Sequence, residues 1–174
     1  MFDQITQKPA HWADHVRPGD VVLFKFPVAF PQTRDGKPGV RPCLVVGVDD
    51  HGGQRRLVLA YSTTATTRSN GGYDIAITHV ADLQTAGLRR ATRFIGTRLL
   101  SVSPNHVGFD VGGSGAPVVG HLTGSRLERM QAVRARLHAE HDIAADRRRE
   151  RSEARVTVER CAHLKTKAEC PRAA

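Results

Sequence analysis

The chain is poor in aromatic residues and cysteine and has no long apolar run, and each shortage narrows its class. Only 5% of its 174 residues are Phe, Trp or Tyr, so most of a core must come from aliphatic side chains. No apolar run reaches the roughly 18 residues of a membrane span. Residues 1–15 include Asp3, Lys8, His11 and Asp14 and hold no apolar stretch of the kind a secretory leader needs. A soluble, cytoplasmic protein without a membrane partner is the expectation. The three cysteines, Cys43, Cys161 and Cys170, follow no C-x-x-C spacing. Cys43 sits in an apolar run and reads as a small core residue. Cys161, His163 and Cys170 fall short of a zinc pattern. There is no P-loop, no glycine-rich dinucleotide fingerprint after a strand, no H-E-x-x-H and no G-x-S-x-G. No metal and no cofactor is assigned.

What is present is positive charge. Lys and Arg number 26 against 17 Asp and Glu, a formal net charge of +9. That balance predicts attraction to nucleic acid, an anionic membrane face or an acidic protein. From Ala144 onward nine basic residues stand against five acidic ones; a solvated tail accounts for them as simply as a binding segment does.

The pattern along the chain is one of short strands, then a helix, then a tail. Pro18-Gly19-Asp20 is a turn before the β-rich Val21–Phe26. Residues 27–39, with Pro27, Pro31, Gly36, Pro38 and Gly39, form a loop. Residues 40–48 make a second, buried strand around Cys43–Val46. Asp49-Asp50-His51-Gly52-Gly53 has hairpin composition, and 54–61 return as a third strand centred on Leu57-Val58-Leu59. A polar loop spans 62–72. Residues 73–77 alternate as a fourth strand, 92–102 supply a fifth, 103–116 form a glycine-rich loop, and 117–122 form a last short strand. Ser125-Arg126-Leu127-Glu128 has the form of a capping box, and Leu127, Met130, Val133 and Leu137 follow on one helical face. Turn-rich strands closed by one helix predict a mostly β fold, a small barrel over 16–142. A basic tail, helical or disordered, occupies 143–174. There is too little βαβ alternation for a doubly wound sheet.

Candidate chemistry gathers at one strand edge. Arg34, Lys37 and Arg41 surround Pro38 and Gly39, and Pro42 holds Arg41 in the extended region. Guanidinium groups offer planar, permanently charged donors that suit phosphate, although an exposed Arg at a strand edge is the commoner meaning of such a residue. The third strand runs into Ser62-Thr63-Thr64, and antiparallel pairing returns that end to Arg41. These hydroxyls can hold phosphate or ribose oxygens, or can simply belong to a polar turn. His106, near Phe109-Asp110, is a weaker candidate for catalysis.

Gly19-Asp20-Val-Val-Leu-Phe, a Pro/Gly loop, Arg41-Pro42-Cys-Leu-Val-Val and Leu-Val-Leu-Ala-Tyr-Ser-Thr63-Thr64 together resemble the N-terminal half of the MazF/PemK toxins. Ala86-Gly87-Leu88 before the fifth strand, and Val119-Gly120-His121-Leu122 before the helix, resemble the second half. About three quarters of the chain is covered. The resemblance implies an SH3-like barrel, a homodimer, and the toxin of a type II toxin–antitoxin pair: a metal-independent endoribonuclease that cleaves single-stranded RNA. It implies that the 2′-OH attacks the adjacent phosphorus, leaving a 2′,3′-cyclic phosphate and a 5′-OH. Arg41 matches the family's catalytic Arg and Thr63 its catalytic hydroxyl, while Arg90 matches an Arg used by some members. Arg34, Lys37, Thr64 and Arg90 would bind RNA, and an acidic antitoxin would compete for the groove. The chain departs from the family in having Thr92 where some relatives have Asp, Asp35 in place of the usual Glu in a longer first loop, an apparent insertion at 103–116, and the tail. The alternative is a non-catalytic module that binds nucleic acid or protein on the same barrel. A hydrolase built on one of the nine histidines is a third reading.

Overall fold

A computed structural model describes residues 11–27, 39–67 and 69–168, with backbone alone for His11, His51, Ser114 and 153–168. Six strands, β1 (Asp20–Phe24), β2 (Arg41–His51), β3 (Gln54–Thr63), β4 (Asp74–Ile77), β5 (Thr92–Val102) and β6 (Val118–His121), are joined by α1 (Val80–Thr85) and followed by α2 (Gly124–Ala168). They form a single antiparallel sheet in the order β4-β5-β3-β2-β1-β6. The fold is therefore mostly β, a curled sheet with a C-terminal helix, compatible with the small barrel expected. No described helix is long and apolar enough to cross a membrane.

The hairpin of β2 and β3 is the spine of the sheet. Gly52 and Gly53 both have positive φ, 58° and 78°, as the tight turn between twisted strands requires. Val22 and Phe24, Cys43 and Val45, and Leu57, Leu59 and Tyr61 recur with a period of two and bury into one apolar cluster with Phe26, Ile95 and Phe109. Val21, Leu44, Ala60 and Phe94, of the opposite parity, are also buried. The sheet is thus covered on both faces, and Met130 and Val133 of α2 are buried as well.

Several local features set the curvature. Bulges interrupt β2 between Val45 and Gly47, and β5 opposite the Ala60–Tyr61 step; each bends its strand and raises its twist. The edge strands β4 and β6 are not hydrogen-bonded to each other, and the turn after α1 bridges between them. Gly87 and Gly120 make this approach possible. A Cβ on Gly87 would lie 2.1 Å from the Val119 carbonyl oxygen, and one on Gly120 would lie 2.3 Å from the carbonyl carbon of Ala86.

Three elements differ from the sequence reading. α1 was not anticipated: it has six residues, none buried, and no side-chain cap at His79, so it leaves no periodic signal. α2 starts at Gly124 rather than at the Ser125 box, because the Thr123 carbonyl accepts from the amides of Arg126 and Leu127. Thr63 ends β3 rather than lying in the following loop, since it still pairs with Arg93. The glycine-rich loop 103–116 is pinned to β1: the Gly108 carbonyl accepts from Lys25, the Asp110 amide donates to Leu23, and Phe109 packs on Phe24 and Trp12 at 4.8 and 5.0 Å.

The chain divides into two units, Met1–Arg134 and Ala135–Ala174. In the first, Leu127 of α2 lies over Gly19 and Arg129 donates to the carbonyls of Gly72 and Asp74. In the second, the helix carries mostly exposed charged residues and is laced by the Arg136–Glu140 pair at 2.9 Å, a spacing that supports an isolated helix.

Replacing Gly120 by Ala drives a methyl into backbone that cannot retreat. Such overpacking costs about 1–3 kcal/mol; a lower melting temperature for Gly120→Ala by thermal denaturation is expected, and an unchanged one would show that the α1–β6 approach is not tight.

Candidate functional site

The antiparallel register Leu44↔Ala60 and Val45↔Leu59 carries the start of β2 to the end of β3. There a cleft of about 770 Å³ opens, lined by Arg41, Pro42, Tyr61, Ser62, Thr63 and Thr64 from these two strands and the turn beyond, and by Gly87 to Arg90 from the segment after α1. Leu23, Val40 and Val119 give it apolar walls. Four of the expected residues, Arg41, Thr63, Thr64 and Arg90, thus line one cleft. The other two, Arg34 and Lys37, lie outside the described residues. His106 does not line it: its Nδ1 accepts the Gly108 amide at 2.9 Å and its ring packs on Phe24, so it organises a turn.

Among the described residues the cleft's charge is of one sign. Its described lining includes Arg41, Arg89 and Arg90 and no Asp, Glu or His. None of these three arginines pairs with a carboxylate among the described residues. Arg41 is half-buried; its Nη1 donates to the Tyr61 hydroxyl at 2.9 Å, while its Nε is buried without a hydrogen-bond partner. A guanidinium held by a neutral phenol keeps its full charge, and an unpaired buried donor is costly. An anion entering the cleft would pair with the charge.

The hydroxyl side is equally set. Thr63 Oγ1 accepts the Ala65 amide at 3.1 Å, which fixes the rotamer and leaves the hydroxyl proton to donate outward. Thr92, where a carboxylate was absent from the sequence pattern, is buried and donates to the Arg90 carbonyl at 2.9 Å. It anchors Arg90 rather than serving as a base.

Arg93 escaped the sequence reading. Its Nε pairs with Asp74 Oδ2 at 2.9 Å, Nη1 donates to the carbonyls of Ala65 and Thr67, and Nη2 donates to the Ser69 carbonyl at 3.1 Å. One side chain therefore ties down the turn that follows Thr63 and Thr64. Arg89 was also missed, although it adjoins Arg90 in sequence. Nothing in a single sequence separates a clamping Arg from a ligand-facing one.

Cys43 lies just behind Arg41. Burial pushes its thiol up to about 12, and the Arg41 guanidinium opposes that shift only in part. The thiol is a core group rather than a nucleophile.

Neither a protein-family model nor a curated protein sequence matches this chain. The cleft's own chemistry therefore carries the functional argument: three cations, the hydroxyls of Ser62, Thr63 and Thr64, and apolar walls, with no described carboxylate or imidazole.

Two outcomes follow. The unfolded Cys43 thiol ionises near its ordinary value of about 8.5, whereas the folded one holds its proton to about 12. Its contribution to stability is present below the lower value and is lost as pH rises towards the upper one. Urea denaturation from about pH 8 to pH 11 should therefore show a steeper loss for the native chain than for Cys43→Ala; parallel slopes would contradict the burial. Separately, Arg93→Ala should release the turn, so that the amides of Ala65, Thr67 and Ser69 exchange faster by hydrogen exchange while those of β2 are unchanged. Equal protection in both proteins would mean that the turn holds without its clamp.

Proposed function

We propose that the cleft binds the phosphates of single-stranded RNA and that the protein is a metal-independent endoribonuclease of the MazF/PemK kind. The observation that carries this reading is Arg41: a guanidinium with no acidic partner among the described residues, at the mouth of a cleft that also holds Thr63, Thr64 and Arg90. In the reaction proposed, the ribose 2′-OH attacks the neighbouring phosphorus and the bond to the 5′-oxygen breaks. The products are a 2′,3′-cyclic phosphate and a 5′-OH. Charge builds on the phosphoryl oxygens, where Arg41 would donate, and preorganised donors act strongly in a partly dehydrated site. Thr63 would donate its free hydroxyl proton to the same phosphate. Arg90, Thr64, and Arg34 and Lys37 of the first loop would hold flanking phosphates.

In this reading the protein is the toxin of a type II pair acting in the cytoplasm, and it pairs as a homodimer. Its cleft would be blocked by an acidic antitoxin segment that folds on binding. Charge complementarity supports that partner, since every charged residue of the described lining is a cation. One observation favours the non-catalytic alternative, in which the barrel binds nucleic acid or protein and cleaves nothing. The described lining offers no carboxylate or imidazole to take the 2′-OH proton, and proton transfer contributes about 10²–10⁴-fold in such reactions.

The test is incubation of a mixed-sequence single-stranded RNA with the protein in EDTA. Cleavage to 5′-OH products is expected, reduced at least about 100-fold in Arg41→Ala, the order seen when a single charge-stabilising donor is removed. Intact RNA in the presence of folded, RNA-bound protein would overturn the enzyme and leave the binding module.

A further inference from the structure

Beside the cleft, β5 carries a bulge whose contents the cleft lining does not include. Ala60 pairs with Leu99 while Tyr61 pairs with Ile95, so Gly96, Thr97 and Arg98 have no partner on β3. The outer side of the bulge is pinned: the Gly96 amide donates to the Tyr73 carbonyl at 2.8 Å, and Thr97 Oγ1 donates to Asn70 Oδ1 at 3.4 Å. Arg98 turns the other way, onto Tyr61, with its Cζ 4.3 Å from the ring centroid. The same ring receives Arg41, whose Cζ lies 5.1 Å from that centroid and whose Nη1 holds the phenolic oxygen.

Two guanidiniums therefore share one tyrosine. Arg98 is exposed and, like Arg41, has no carboxylate partner among the described residues. Tyr61 itself is buried and braced edge-on by Phe26 at 5.4 Å, so the platform beneath the two cations is rigid. Bulges beside working sites commonly re-aim a side chain, and this one brings a second cation next to the first. Two close like charges repel, and an anionic strand lying beside them offsets that repulsion. A strand bearing successive phosphates suits both.

We propose that Arg98 is a second phosphate-binding residue, taking a neighbouring phosphate of the nucleic-acid strand whose reacting phosphate lies at Arg41. This rests on the reading of the cleft as an RNA site. Arg98 plays no part in bond-breaking here; it supplies affinity and register. The plainer account is that Arg98 merely stacks on Tyr61, which would fix the ring without contributing to binding.

The experiment separates binding from cleavage. A 2′-O-methyl oligoribonucleotide has no free 2′-OH and stays intact, so its affinity for the full chain can be followed by fluorescence anisotropy over a range of salt. Arg98→Ala should bind several-fold more weakly at low salt, with the slope of log K against log salt reduced by about 0.7, the value of one phosphate contact on a single strand. Arg98→Lys keeps the charge and should keep the slope. Thermal melting of both variants checks that Tyr61 is still seated. If Arg98→Ala binds like the native chain while Arg41→Ala loses affinity, the second subsite is refuted and the cleft reading stands. If the native chain does not bind the oligonucleotide at all, both fall together.

Discussion

The pairing of β2 with β3 is the constraint on which everything else hangs. β3 carries β5 and through it β4, while β2 carries β1 and through it β6. A one-residue slip in the central pair would turn Leu57, Leu59 and Tyr61 out of the core. It would also separate Arg41 from the hydroxyls at the end of β3. The glycine turn at one end of the hairpin and the bulge at Val46 set this register between them. Because the bulge adds one residue to β2, Val45 and Val48 can pack against the same cluster despite their opposite parity. The position of Arg41 is thus a consequence of core packing some distance away, and the cleft inherits the rigidity of the hydrophobic core.

That inheritance matters because a half-buried guanidinium is expensive to hold without a carboxylate. Breaking a buried ion pair costs several kcal/mol, about 3–5, yet among the described residues Arg41 has no such pair to be broken. The fold instead supplies a phenol oxygen, which accepts a hydrogen bond without cancelling the charge. Tyr61 can do this only because Phe26 and the surrounding aliphatic residues immobilise its ring. A flexible acceptor would let the guanidinium swing to solvent. The aromatic shortage noted in the sequence is therefore concentrated to effect: Phe24, Phe26, Tyr61 and Phe109 all lie in the one cluster behind the cleft.

Much of the architecture was legible in the sequence, and the parts that were not share a cause. The strands around Leu23, Val45, Leu59 and Ile75, and the helix through Met130, announce themselves by periodicity, composition and flanking Pro and Gly. The adjacency of Arg41 and Thr63 follows from antiparallel pairing alone. Hidden features depend on tertiary contact: α1 is too short to show a period, and the roles of Gly87 and Gly120 exist only because two backbones meet. The Gly19-Asp20 pair, part of the resemblance to the MazF/PemK toxins, has a structural reason. Gly19 has φ of 102°, and Asp20 Oδ2 accepts the Arg17 amide at 2.9 Å, so the pair makes the turn into β1 rather than the chemistry. The bulge at 96–98 reads from sequence as uninterrupted strand.

The hardest distinction was among arginines, and the structure resolves it by partner. Arg93, Arg41 and Arg98 lie on β2 or β5 near the same end of the sheet, and their side chains are chemically identical. Arg93 has a carboxylate and three carbonyls, which engage four of its five N–H donors, so it can hold a turn but has little left for a ligand. Among the described residues Arg41 has only the Tyr61 side chain as partner, and Arg98 only that ring's face. A guanidinium carries five donors, and the number left unsatisfied measures what remains for an incoming anion. By that measure the free capacity rises from Arg93 to Arg41 to Arg98, the last being the exposed one. The clamp sits deepest in the hydrogen-bond network, the proposed reacting group is braced but open, and the proposed outer contact is the freest. Such a gradient is what a strand-binding cleft requires: order where the reaction takes place, and reach at its margin.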